Sequence, residues 1–125
     1  MTSSTTPIRL VRRADFIACS RGRRVTTAAF VLQESARGDE RPPRFGFTVT
    51  KKTGGAVERN RMRRRLREVV RLGAHAGART GSDYVLVLNR NALDRPFDVL
   101  KTDLADALLR AAVPRPARSA GRPNP

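Results

Sequence analysis

The segment from Ala56 to Leu72, AVERNRMRRRLREVVRL, limits what this chain can fold into more than any other stretch. Six of the nine residues from Arg59 to Arg67 are arginine. Read as a helix at about 100° per residue, it gathers Met62, Leu66, Val69 and Val70 on one stripe. Asn60, Arg63, Arg64, Arg67 and Arg71 fall on the opposite side, and Arg59, Arg61 and Arg65 flank the stripe. The stripe can face a core, and the arginine side cannot. Within the segment only Glu58 and Glu68 are acidic. Arginines four apart (Arg63 with Arg67, Arg67 with Arg71) destabilise a helix by a few tenths of a kcal/mol each. An ordinary solvated face mixes the two signs. A nearly unipolar one predicts an anion supplied from outside.

The rest of the composition agrees. The formal charge is +15 over 125 residues, and arginine far outnumbers lysine. A charge of that size predicts a polyanionic partner. The planar guanidinium matches phosphate oxygens two at a time and stacks on bases, which favours nucleic acid. A single cysteine, Cys19, excludes an internal disulfide framework and a thiolate zinc cluster. No apolar run approaches the ~20 residues of a membrane span, and the N-terminus lacks an apolar signal core. The expected compartment is the cytoplasm, with no membrane partner.

Along the chain, LVRRADFIACSRG reads as a short helix or turn ending at Gly22, and RVTTAAFVLQE as a strand. SARGDERPP is a loop. RFGFTVTKK alternates, with Phe45, Phe47 and Val49 on one face and Arg44, Gly46, Thr48 and Thr50 on the other. After the basic helix, DYVLVLNR predicts a third strand. ALDRPFDVLKTDLADALLRAA predicts an amphipathic helix with Phe97, Leu100, Leu104 and Leu108 inward. The expectation is one α+β domain over residues 1–113, a small sheet packed by helices in the order α-β-β-α-β-α. Residues 114–125, PRPARSAGRPNP, read as a disordered Pro/Arg-rich tail. Lys51 and Lys52 end the second strand, and Gly54 and Gly55 precede a helix N-terminus of the kind that binds phosphate.

The run RFGFTVTKKTGGAVERNRMRRRLRE resembles the protein component of bacterial ribonuclease P. The resemblance rests on Arg59-Asn60-Arg61, framed by the Lys-Lys-x-Gly strand end before it and by Arg63, Arg64 and Arg67 after it. RLVRRADF, FVL and DYVLVLNR extend it from about Arg9 to Arg110. It implies a mixed sheet with a left-handed crossover around the basic helix. It also implies a ribonucleoprotein that removes the 5′ leader of precursor tRNA. The RNA subunit would perform the hydrolysis and hold most of the magnesium, with no cofactor on the protein. The chain would act as a monomer in a 1:1 complex with that RNA. Lys51, Lys52, Arg59, Asn60, Arg61, Arg63, Arg64, Arg67 and Arg71 would contact the catalytic RNA. The leader would lie in a cleft floored by Gly46, Thr48 and Thr50 with Val31 and Gln33 beside them, and Phe16 would stack on a base. Ala18–Ser20 and Gln33 stand where family members often carry further aromatics.

No catalytic constellation is legible in the chain, and none is expected. His75, the single histidine, sits in GAHAGA with no carboxylate beside it in sequence. Asp103 and Asp106 share a face of an amphipathic helix, and no close acidic pair predicts a two-metal site. Cys19 lacks a partner base. Two other classes are compatible with the charge: a stand-alone binding module, such as a ribosomal protein or a helix-turn-helix regulator, and a protein-only nuclease. The first does not account for the ordered motif, and strands rather than a partner helix flank the basic helix. The second lacks acid, base and metal groups.

Overall fold

The computed structural model describes residues 8–72 and 77–112. The expected tail at 114–125 and His75 lie outside the described residues. Five strands form one sheet in the order β1-β4-β5-β3-β2. They are β1 (Ile8–Arg9), β2 (Arg23–Thr26), β3 (Phe30–Ala36), β4 (Arg44–Thr48) and β5 (Ser82–Leu88). The helices are α1 (Arg13–Ser20), α2 (Ala56–Arg71), α3 (Asn91–Asp94) and α4 (Phe97–Ala112), with a 3-10 turn at Lys51–Thr53 before α2. The sheet is mixed: β1, β4 and β5 run parallel, and β5, β3 and β2 antiparallel. No helix among the described residues is long and apolar enough to cross a membrane.

The α+β class is as expected, but the element order differs in three places. RVTTAAFVLQE is a hairpin, not one strand. The Thr27 side chain accepts a hydrogen bond from the Phe30 amide and donates one to the Phe30 carbonyl, which closes the reversal between β2 and β3. Residues 8 and 9 add a short parallel strand to the edge of β4. The C-terminal amphipathic run divides at Arg95–Pro96 into α3 and α4. Proline lacks an amide donor and disfavours helical backbone in the residue before it. Arg95 accordingly has an extended backbone.

The two faces of the sheet carry different partners. Phe30, Leu32, Phe45, Tyr84, Leu86 and Leu88 point to one face, against α2 and α4. Met62, Leu66, Val69 and Val70 of α2 are all buried there, as the period-3.6 reading expects. Burying a side chain of this kind stabilises by about 1.5–3 kcal/mol. Four of them outweigh the arginine repulsions on the opposite side. Leu100, Leu104 and Leu108 of α4 complete that core. On the other face, α1 covers a smaller cluster of Leu10, Cys19 and Val85.

An ion cluster secures one end of the sheet. Asp83 on β5 is nearly fully buried and lies opposite Arg44 on β4. The Arg44 guanidinium donates to both its oxygens, at 2.7 and 2.8 Å, and Arg37 donates to Oδ1. Arg37 also donates to the carbonyls of Ser82, Arg41 and Pro42 and to Asp39. Removing one partner of a buried pair typically costs 3–5 kcal/mol, because a buried charge is left uncompensated. Asp83→Ala should therefore lower the unfolding free energy by about 3 kcal/mol or more in a denaturant titration. The Arg37 guanidinium, by hydrogen bonding, holds the exposed Asp39 carboxyl down at about 2, against an ordinary value of 3.8. A carboxyl depressed on folding contributes its stability above the ordinary value and loses it as pH falls toward 2. Asp39→Asn should accordingly flatten the fall in stability between about pH 4 and pH 2, measured by thermal unfolding.

Candidate nucleic-acid interface

Gly55 caps the start of α2, and its amide donates to the Glu58 carboxylate at 3.1 Å. The first donor of the helix is thus already taken by an acid from within, so this end is less open to an external phosphate than expected. Arg90, just past β5, donates to the same carboxylate and, at 2.8 Å, to the Thr53 carbonyl. Its guanidinium, more than the Gly55 amide, lowers the Glu58 pKa. The turn carrying the exposed Lys51 and Lys52 is thereby held against the start of α2.

The arginines of α2 divide by what they touch. Arg59 turns back to donate to the Gly54 carbonyl at 3.1 Å. Arg65 donates to the carbonyls of Ala92, Leu93 and Arg95 at 2.6–2.9 Å, tying α2 to the end of α3. Arg71 pairs with Glu68, which lowers the carboxylate's pKa through that hydrogen bond. Both acids of the helix are therefore engaged. Among the described residues, Arg61 and Arg64 are exposed and have no carboxylate partner. Arg63 donates to the Asn60 side chain. The Arg67 guanidinium lies 5.9 Å from the centre of the Phe47 ring, a cation–π arrangement. Of the arginines predicted to meet RNA, Arg61, Arg63, Arg64 and Arg67 form an outward face. Arg59 and Arg71 carry internal contacts as well.

On the opposite face of the sheet an open groove of about 290 Å³ runs between α1 and the strands. Gln33, Thr48, Val85 and Val87 form its floor, and Arg13, Phe16, Ile17 and Ser20 its α1 wall. Register places them together: Gln33 lies opposite Val85, and Thr48 and Val31 lie on either side of Val87. Phe16, Gln33 and Thr48 thus meet. Gly46 lies on the face the alternation gives it but under α1, and Thr50 does not belong to the strand. A Cβ at Gly46 would sit 2.6 Å from the Phe16 ring, so the glycine seats that ring instead of leaving the floor clear. Thr50 lies past the end of β4, exposed, with its hydroxyl 3.1 Å from that of Thr53. Arg13, Ile17, Ser20, Val85 and Val87 were missed from sequence. The alternation of β5, with Tyr84, Leu86 and Leu88 inward, holds a signal for the two valines.

Phe16 also lines a recess of about 120 Å³ on its other side, shared with Gly46, Phe47, Arg63 and Arg67. The groove and the arginine face therefore adjoin across one aromatic ring. Burial first, and then the charge of Asp83, push the Cys19 thiol up to about 12. Asp103 is paired with Arg95 and Asp106 with Arg110. Among the described residues no three His, Cys, Asp or Glu side chains converge as metal ligands would.

Comparison with known proteins gives one family. The Ribonuclease P family model matches residues 5–112. The chain is 47% identical over 106 residues to the ribonuclease P protein component of Gluconacetobacter diazotrophicus, covering 84% of this chain and 91% of that protein. It is 43% identical over 105 residues to that of Bartonella quintana, covering 79% of each. Among solved structures, the RNase P protein of Staphylococcus aureus superposes with a TM-score of 0.69 at 27% identity, covering 86% of this chain and 98% of that one. That of Thermotoga maritima gives 0.69 at 26%, covering 82% and 96%.

The seating of Phe16 on Gly46 has a measurable consequence. Gly46→Val must push the ring off the sheet, at about 1–3 kcal/mol for an overpacked contact. In the Phe16→Ala background the same change should cost less, because the obstructing ring is gone. A double-mutant cycle by denaturant unfolding measures this coupling.

Proposed function

We infer that this chain, which belongs to the ribonuclease P protein family, is the protein subunit of that endoribonuclease, binding its catalytic RNA and the 5′ leader of precursor tRNA. The observation that carries the reading is the pair of adjoining surfaces. One is a helix face whose arginines lack carboxylate partners. The other is a groove on the far side of the sheet, and the two meet at Phe16. In the proposed arrangement Arg61, Arg63, Arg64 and Arg67, with Lys51 and Lys52, neutralise phosphates of the folded RNA. Each such contact releases counterions and steepens the salt dependence. The leader lies extended over Thr48, Gln33, Val85 and Val87. Phe16 offers its ring to a base, a contact contributing about 1–3 kcal/mol. The chain acts as one protein to one RNA, in the cytoplasm.

The hydrolytic step belongs to the RNA in this reading. A thiol held protonated, and acids already paired with arginine, supply neither a general base nor a nucleophile. Magnesium would be held mainly by the RNA, and no step on the protein runs through it. The protein's part is to bind and position, so that substrate affinity is gained from a groove the RNA does not itself provide.

Incubating precursor tRNA with protein alone, RNA alone and both at low magnesium tests the division of labour. Only the mixture should release the leader and leave a 5′-phosphate on the mature end. Site-specific cleavage by the RNA-free protein would overturn it. The two surfaces should also separate by mutation. Arg64→Ala should weaken assembly with the catalytic RNA and reduce the slope of log affinity against log salt by about 0.7–0.9. Phe16→Ala and Thr48→Tyr should spare assembly and weaken binding of leader-bearing precursor. Loss of the same affinity in both sets of mutants would refute the two-surface arrangement.

A further inference from the structure

We propose that an apolar recess between β1, β4 and α2 receives a single unpaired nucleobase of the catalytic RNA, at a site apart from the groove beneath α1. The recess encloses about 200 Å³, with Ile8, Phe45, Phe47 and Val70 as its floor and Arg9, Arg67 and Arg71 on its rim. It exists because β1 stops after two residues. β1 pairs with Arg44 and Phe45 only, so among the described residues no strand pairs with that edge of β4 from Gly46 onward. Ile8 is left 43% exposed at the opening.

The rim identifies the class of ligand. Glu68 engages Arg71, whereas Arg9 and Arg67 have no carboxylate partner among the described residues. The Arg67 guanidinium lies over the Phe47 ring, so a cation and an aromatic ring border the same opening. A nucleotide matches this arrangement: its base has flat apolar faces for the floor, and its phosphates meet the guanidinium groups. A second copy of this chain fits poorly, since two bodies of charge +15 repel.

Geometry also selects the source of the nucleotide. Phe45 and Phe47 point to the face of the sheet that packs on α2, whereas Thr48, Val85 and Val87 of the groove point to the opposite face. The recess is walled by α2 itself, so a base entering it comes from the RNA bound along that helix and not from the leader across the sheet. The inference thus rests on the reading of α2 as the surface for the catalytic RNA.

The sequence provides its own probes. It contains two isoleucines: Ile8 borders the recess and Ile17 the groove. In methyl NMR of the full chain, adding the catalytic RNA alone should shift the Ile8 methyl resonances upfield, through the ring current of a stacked base, and leave Ile17 nearly in place. Precursor tRNA added afterwards should move Ile17. Ile8→Ser, at an exposed position whose fold is checked by thermal unfolding, should weaken binding of the catalytic RNA about fivefold. The salt slope should not change, because no charge is removed. Ile8 methyls that stay in place with the RNA, or move only with precursor, would overturn the proposal, as would undiminished affinity of the Ile8→Ser protein. The Arg64→Ala protein separates the two levels. If it binds RNA normally with an unchanged slope, the reading of α2 fails and the recess with it. If it binds weakly while Ile8 does not respond, the recess alone is refuted.

Discussion

The four-residue stripe of Met62, Leu66, Val69 and Val70 is the contact on which the rest of this structure depends. It is wide enough to seat α2 on the sheet and narrow enough to leave most of the helix circumference uncovered. A helix this rich in arginine has little stability of its own, since neighbouring guanidinium groups repel and helices in proteins draw most of their stability from packing. Burial of the stripe meets that cost. Internal acids meet little of it, because Glu58 is held by Arg90 from outside the helix and Glu68 pairs with Arg71 alone. The outward arginines are thereby kept available.

Several arginines that look alike in sequence serve this arrangement from inside. Arg65 gives its donors to three carbonyls around the α3 terminus, where a guanidinium satisfies groups that a helix end leaves unpaired. Arg59 and Arg90 hold the turn before α2. Arg37 and Arg44 surround one buried carboxylate at the end of the sheet, fixing β4 against β5. A charge of +15 is thus the sum of two populations. One stabilises the fold through paired, partly buried contacts. The other is exposed, available for a polyanion and subject to salt screening.

The position of Phe16 links the two surfaces. Its ring rests on the backbone of Gly46, where any larger residue would collide with it. It borders the groove on one side and the recess by Arg63 and Arg67 on the other. An aromatic in the groove wall is consequently held by the same strand that packs on the arginine helix. A shift of β4 would be felt on both faces of the sheet.

Much of this was legible in the residues themselves. Period 3.6 in α2 and α4 identified the buried stripe and the outward arginines, and period 2 in β4 put Phe45 and Phe47 on the core face. The Arg-Asn-Arg signature and its ordered neighbours indicated the family. Each of these is a local pattern, in which a side chain's direction follows from its place along one element. The tertiary structure decided what lies opposite. Gly46 reads as open floor until Phe16 arrives from another element, and Thr50 reads as part of a strand that has already ended. Arg65 reads only as a residue flanking the stripe until the α3 carbonyls are brought beside it. Those outcomes depend on contacts between residues far apart in the chain, and periodicity reports the direction of a side chain but not the neighbour it meets.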